Sequence, residues 1–535
     1  MVLAILAALT VTVGAHAAPQ PAMTRHVPDA VARGVAPLVG VAPPRQTMEL
    51  TISLPQRNEA ELRALLNVIE SPSSPEYRHY LSVAGFTARY GPTAADYQAL
   101  VRFALANNLH PYALAANRRV LDVQATVADV ERTLHVRIGI YRHPTEARTF
   151  YAPDREPTLD LALPVLHISG LDNYVLPLAH LVRGGPAAAG QPKSTGSGPG
   201  GNFLGSDVRT AYYGGSALAG SGQSLGLFEY AGYNLADVKT YFSSIGQSDS
   251  VPIVGVSLNG ANLNCKGTCD DSEQVLDMEE AISMAPSLRQ LVVYVGNNDV
   301  SIINQMASDN TSKQLSCSWG WDPDPIELDP IFEEMAAQGQ SFLVATGDDG
   351  YHLKEGAVWP ADDQYVTAVG GTDLRTNGPG GPWKSEAGWA YSGGGPSPDK
   401  VPIPAYQAPF INAQNGGSTK LRNVPDIAGD ANTDNYSCYD GSCSTGNGGT
   451  SYAAPIWAGF IALANQFAAA SNTAPIGFLN PVIYTIGAST GYPADFHDQT
   501  RGYNGKYSAG PGFDLVTGFG TPHGDLLIRA LVRGQ

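Results

Sequence analysis

A chain of 535 residues exceeds one typical domain, and 43% hydrophobic against 15% charged residues argues for ordered globular structure and against disorder. The net charge of −17 divides unevenly, with +2 on residues 1–201 and −19 on residues 202–535. So acidic a second part argues against nucleic acid as its partner, and the opposite signs let the two parts attract.

Residues 2–14 form an apolar run of the length of a signal-peptide core, and Ala15-His16-Ala17 follows as a cleavage site. Residues 1–17 therefore read as a signal peptide and the protein as secreted, although the positive start of such signals is missing. A buried strand or short anchor is the competing reading. No other apolar stretch is long enough to cross a bilayer, so no membrane association is expected once the signal is removed.

From residue 45 to 182 strand and helix patterns mix. Residues 48–54 and 120–125 predict strands, while 60–69, 94–107 and 127–134 have helical spacing. Residues 18–182 are thus expected to form an α+β domain. Residues 183–201, RGGPAAAGQPKSTGSGPGG, have no apolar periodicity and read as an exposed linker. Beyond it the short apolar runs 224–229, 291–295, 341–346 and 365–369 predict strands of a parallel sheet covered on both faces. Helical patterns at 235–242, 273–284, 326–337 and 451–470 lie between them. Residues 202–535 are expected to be an α/β domain, with its chemistry in the loops after the strands.

Five cysteines fit export. Cys265 with Cys269, and Cys438 with Cys443, read as local disulfides. The rival is one four-thiolate zinc site, whose spacing these pairs do not match. Cys317, in an apolar stretch, is expected to be a buried thiol.

Three segments could carry chemistry. Ser451 lies in Gly448-Gly-Thr-Ser-Tyr-Ala-Ala-Pro455, at the start of a long apolar helix, where a helix N-terminus favours a developing oxyanion. An ordinary Ser cap explains it equally. A serine nucleophile needs a base, and His352, His497 and His523 sit in no triad-like context. Glu273 and Asp277 are four apart on a predicted helix and share a face, so a shared proton could make them base and then acid. A solvated acidic face is the plain alternative; Glu279 and Glu280 are expected at the surface. Asp348 follows an apolar strand in Thr346-Gly-Asp-Asp-Gly350, where a protonated carboxyl could donate to an oxyanion; an Asx-turn or a metal ligand would account for it as well.

In this order, Glu-x-x-x-Asp, strand-Gly-Asp-x-Gly and Gly-Thr-Ser-x-x-x-Pro resemble the sedolisin (serine-carboxyl peptidase) family. Ser316-Cys-Ser-Trp-Gly320, Trp359-Pro360, Val369-Gly-Gly-Thr-Asp-Leu374 and Pro425-Asp-Ile427 match as well. Upstream, Ser74-Pro-Glu-Tyr-Arg-His-Tyr-Leu81 and His167-Ile-Ser-Gly-Leu-Asp172 look like that family's activation propeptide. The resemblance implies a subtilisin-like catalytic domain with a mostly parallel central sheet, preceded by a smaller α+β prodomain. It implies Ser451 as nucleophile, Glu273 as base, Asp277 as its orienter and Asp348 as oxyanion donor. It further implies one Ca²⁺ per catalytic domain, held by Asp498, Gln499, Gly510, Gly512 and Asp514; Gln499 stands where the family has an aliphatic residue, and Gly448 where it often has Ser. The expected protein is a monomeric, acid-acting endopeptidase of protein or peptide substrates. Its own prodomain would inhibit it until cleavage in or near residues 183–201. A tripeptidyl exopeptidase, a carboxylate-pair glycosidase and an inactive secreted binding protein remain the alternatives.

Overall fold

The computed structural model describes residues 20–184, 195–265, 267, 269–321, 325–351 and 358–534. The expected signal peptide, most of the expected linker and His352 lie outside the described residues.

Two compact units are present, and they do not divide the chain at the linker. The first comprises residues up to Pro55 together with Ala94–Ala113 and Val123–Tyr174. It is α+β, with an antiparallel sheet of Leu38–Val41, Ile138–Arg142 and Thr149–Pro153. Thr47–Ser53 pairs antiparallel with His167–Ser169, and helices occupy Ala94–Ala106 and Val127–Leu134. Apolar residues at Val127, Val130 and Leu134 bury one face of the second helix, whose N-cap Thr126 accepts from the Asp129 N–H.

The second unit joins Gln56–Thr93 and Leu114–Asp122 to everything after Val175. Its sheet holds β1 (Ser224–Glu229), β2 (Ile253–Ser257), β3 (Gln290–Val295), β4 (Gln314–Cys317), β5 (Ser341–Ala345) and β6 (Thr367–Thr376). These run parallel in the order β2-β3-β1-β4-β5-β6. β7 (Trp383–Gly388) adds antiparallel to β6, and β8 (Ile427–Asp430) adds parallel. Alternation explains the near-continuous apolar runs. Leu225 and Leu227 of β1 point into one core, and Phe228 into another on the opposite face.

Two helices pack together on the first of these cores: α1 (Ser272–Met284), and α2 (Thr450–Ala470), which also packs on β4, β5, β6 and β8. Among the described residues α2 alone is long and apolar enough to cross a membrane, a length the sequence reading passed over. Its apolar surface is spent on the core, where Thr450 to Asn465 are buried. Every residue of α1 is buried too, including Glu279 and Glu280, which overturns their expected place at the surface. The Cys438 N–H donates to Glu279, and burial pushes Glu280 up to about 8, so both acids survive inside by hydrogen bonding or by keeping their protons. Disulfides join Cys265 to Cys269 and Cys438 to Cys443, and Cys317 is a buried thiol.

Candidate active site

The strand order reverses around β1, and the crevice lies beyond the carboxyl ends of β1, β4 and β5. β1 ends at Glu229, β4 leads into Ser318 and Trp319, and β5 into Gly347 and Asp348. From the opposite side come α1 with Glu273 and Asp277, and the first turn of α2 with Ser451. The four residues expected to share a site are therefore brought together from three separate stretches of chain.

Glu273, Asp277 and Ser451 are each at most 2% exposed. Burial, then the charge of Asp277, raises the Glu273 carboxyl well above its usual range, and the nearby Ser451 side chain partly opposes the shift. Even so, Ser451 Oγ and both Glu273 oxygens lack a well-formed hydrogen bond among the described residues. Asp277 accepts from the Ser318 hydroxyl at 2.8 Å; burial and the Glu229 charge raise it strongly. Glu229 is fully buried, accepts from the Trp319 indole N–H at 3.0 Å, and is raised in turn. Glu273, Asp277 and Glu229 thus form a run of buried carboxyls in which burial and mutual repulsion favour the protonated forms, so that all three cannot be ionised together. Glu229 was not singled out from the sequence; its place at a strand's carboxyl end was the available signal.

Asp348 is half-buried as a residue, but its carboxyl is enclosed. The Thr450 N–H and hydroxyl donate to Asp348 Oδ1 at 2.8 and 3.0 Å, while the Gly347 N–H donates to the Thr450 hydroxyl oxygen at 3.0 Å. Burial outweighs these bonds and pushes Asp348 up to about 7. The other oxygen, Oδ2, faces Gly449, where a Cβ would lie 2.6 Å from it and 2.4 Å from the carbonyl oxygen of His180. With φ at +117°, position 449 is doubly restricted to glycine.

That carbonyl belongs to an extended segment lying across the site. Leu178 and Ala179 pair antiparallel with Gly320 and Trp319, and the His180 N–H donates to the Ser318 carbonyl at 3.0 Å. The His180 carbonyl accepts from the Ser451 N–H at 3.1 Å. Val182 exchanges two backbone bonds with Gly448, and the Gly184 N–H donates to Asn447 Oδ1 at 2.9 Å. Arg183 binds Asp270 and Ser272 beside the start of α1. Cleavage is expected in or near residues 183–201; the segment seated here is 178–184, and the carbonyl of its histidine meets the Ser451 N–H. Chemically, one amide carbonyl lies between a backbone N–H and a proton-retaining carboxyl, with a buried hydroxyl on the same residue as the N–H.

The expected calcium residues form a separate group. The Gly512 N–H donates to Asp498 Oδ2 at 3.0 Å, and the Gly510 N–H to Asp514 Oδ2 at 2.9 Å, so both carboxylates close on one turn. Burial raises Asp498 and pushes Asp514 up to about 7, and no cationic side chain opposes either shift. The Gln499 side chain turns elsewhere, its amide donating to Glu386, Thr521 and the His497 carbonyl. The described residues hold no group of three or more His, Cys, Asp or Glu suited to a metal. An ion there would use two carboxylates and backbone carbonyls, a hard-oxygen set that fits Ca²⁺.

Fold and site define a serine-type peptidase of subtilisin-like architecture, and comparison with known proteins agrees. Residues 36–174 match the family described as "Pro-kumamolisin, activation domain". The chain is 30% identical to kumamolisin of Bacillus sp. (strain MN-32), over 95% of each chain. It is 24% identical to tripeptidyl-peptidase 1 of Pan troglodytes, over 92% of this chain and 93% of the relative. Pseudomonas sedolisin, a serine-carboxyl proteinase solved with two molecules of pseudo-iodotyrostatin, superposes with a TM-score of 0.53 at 27% identity. That match covers 61% of this chain and 97% of the other. The chain belongs to the sedolisin family of serine-carboxyl peptidases and carries its activation prodomain.

Proposed function

We propose that this chain is the precursor of a secreted endopeptidase that first cuts its own His180–Leu181 bond. The observation that carries the reading is the His180 carbonyl, 3.1 Å from the Ser451 N–H and beside the Asp348 carboxyl.

Ser451 Oγ attacks the carbonyl carbon of His180 while Glu273 takes the hydroxyl proton. The oxyanion that forms is held by the Ser451 N–H and by the proton on Asp348. Asp277 and Glu229 keep their protons, which removes the repulsion that otherwise stops Glu273 from ionising. Glu273 returns the proton to the Leu181 nitrogen as the C–N bond breaks, leaving His180 acylated on Ser451. Water, deprotonated by Glu273, then releases the acid. Asp498, Asp514 and the carbonyls of Gln499, Gly510 and Gly512 would hold one Ca²⁺, which when bound supplies charge to a buried acidic turn and takes no part in these steps.

Endopeptidase is favoured over tripeptidyl release because the seated chain continues on both sides of the carbonyl, bonded at Leu178–Ala179 and again at Val182–Gly184. Two disulfides suit the oxidising compartment that secretion implies. The test is to acidify the purified precursor and sequence new N-termini. Leu181 should appear at early times in wild type, and the Ser451→Ala precursor should remain whole. A first cut elsewhere, or equal cutting of both proteins, would reject the reading; products from a long blocked peptide would separate endo- from exopeptidase.

A further inference from the structure

Arg183, the third residue after the His180–Leu181 bond, is the side chain of the seated segment that meets charge. Its Nη2 donates to Asp270 Oδ2 and, at 2.7 Å, to the Ser272 hydroxyl oxygen. Its guanidinium carbon lies over the Tyr439 ring, 5.6 Å from the centroid. The backbone on either side is fixed as well, by Val182 on Gly448 and by the Gly184 N–H on Asn447 Oδ1.

The partners of Arg183 are held by their own neighbours. Ser272, the first residue of α1, donates its N–H and its hydroxyl to Asp270 Oδ1 at 3.2 and 2.7 Å, which leaves Oδ2 for the guanidinium. Tyr439 ends one strand of the hairpin formed by Asn435–Tyr439 and Ser442–Asn447, which the Cys438–Cys443 disulfide closes. The Tyr439 hydroxyl donates to Asn447 Oδ1 at 2.9 Å, so one amide oxygen orients both the ring and the seated backbone. Asp440, exposed at the hairpin turn, adds a second negative charge toward Arg183.

We propose that Asp270, Ser272 and Tyr439 form the subsite for the third residue on the amine side of the cleaved bond, and that this subsite selects arginine and disfavours acidic side chains. The proposal rests on the peptidase reading above and adds a substrate preference to it.

A planar guanidinium meets a carboxylate, a hydroxyl and an aromatic face at once, whereas a lysine would keep the ion pair and lose the planar fit. A glutamate at this place would face the carboxylates of Asp270 and Asp440 and the negative face of the Tyr439 ring. Partial burial works to raise the Asp270 carboxyl, but its bonds from Arg183 and Ser272 hold it below the usual range, so its charge persists on acidification. Arg183 and Asp270 both reach solvent, so the preference is a rim effect, about fivefold for Arg over Ala and about tenfold for Arg over Glu.

A charge swap in the precursor tests this. On acidification Arg183→Lys should cut the His180–Leu181 bond nearly as fast as wild type, and Arg183→Glu about tenfold slower. Asp270→Arg should reverse that order, so that Arg183→Glu/Asp270→Arg outruns Asp270→Arg alone. Because Asp270 lies beside the start of α1, which carries Glu273, its replacement shifts every rate together; only the ratio between residues at 183 reports on the subsite. If a precursor variant does not fold, the ratio is read from kcat/KM of the matured wild type and Asp270→Asn on long blocked peptides. These differ only in Arg, Ala or Glu at the third place after the cut, and the Arg-to-Glu ratio should be about ten in wild type and fall in Asp270→Asn. A ratio near one in wild type, or one unchanged by Asp270→Arg or Asp270→Asn, would overturn the subsite while leaving the peptidase intact. A wild-type precursor that never matures, or that is first cut at another bond, would instead overturn the reading above and the subsite with it.

Discussion

Asp348 sets the clearest expectation at the scale of single residues. Its carboxyl must hold a proton to donate to an oxyanion, and burial places that proton's loss at about pH 7. Activity should fall as pH rises through about 7, and Asp348→Ala should cost about 10²–10³ in kcat, the usual loss for one such donor. Asp348→Asn keeps a donor at every pH, so its kcat/KM profile should lose the part of the alkaline limb that wild type shows near neutrality. An unchanged limb would assign it to the Glu273, Asp277 and Glu229 run. Ser451→Ala or Glu273→Ala should remove nearly all turnover, on the order of 10⁶-fold if the pair acts as one unit. Glu229→Gln, one step further along the run, should lower kcat by less and shift the pH profile; a change in KM alone would deny it a link to Asp277.

α1 and the loop before α2 show what elements impose. α1 carries five acidic or amide side chains into the interior, because α2, the helices Gly205–Tyr212 and Leu235–Ser244, the strand Asn435–Tyr439 and β1 enclose it and it has no solvent face. Glu280 is the test of that burial. Its folded pKa of about 8 exceeds its unfolded value, so the stability it contributes is present below about pH 4.5 and lost as pH rises through about 8. Glu280→Gln should therefore flatten the decline of the thermal midpoint between those limits, with little change at pH 4. In the loop, Gly449→Ala should abolish maturation with the fold retained, since its methyl would fall where the His180 carbonyl and Asp348 meet. Wild-type maturation rates in that variant would show that the loop can move aside.

At the scale of the whole molecule, parts of the N-terminal region belong to the same compact unit as the peptidase sheet. Arg119 is 2% exposed and pairs with the fully buried Glu334, with Gln56 and Asn117 completing the group. Leu62, Leu66, Ile69, Phe86 and Tyr90 pack with Ala336, Ala337 and Phe478. Burial raises Glu334, against the pull of Arg119, so acid weakens this pair before it protonates exposed carboxylates. Arg119→Ala leaves Glu334 buried and alone, at a cost of about 3–5 kcal/mol; its precursor should unfold or mature at a higher pH than wild type, as read by the cleavage rate across pH. Calcium belongs to this scale as well. Asp514 keeps its proton up to about pH 7, so added Ca²⁺ should raise the thermal midpoint more at pH 7.5 than at pH 5. Equal midpoints with chelator and with Ca²⁺, at both values, would remove the ion from the account.

The sequence by itself determined the parallel sheet, since residues buried on both faces leave continuous apolar runs such as 224–229 and 341–346. It also determined the candidate nucleophile and acids, because glycine-rich turns at Gly347 and Gly449 mark where backbone approaches closely. Spacing along α1 put Glu273 and Asp277 on one face. It could not tell that the whole helix is buried, and so Glu279 and Glu280 were misplaced: their environment is made by the strand Asn435–Tyr439, by Asp207 and Tyr241, and by Tyr452 of α2, which are distant in sequence. Glu229 offered only its place at a strand's end, and His180 offered nothing, for the same reason. A glutamate ending a strand joins the carboxyl run only once β1 lies beside α1. A histidine in an N-terminal segment meets Ser451 only when that segment pairs with Trp319–Gly320 and Gly448, a backbone pairing that no local pattern announces.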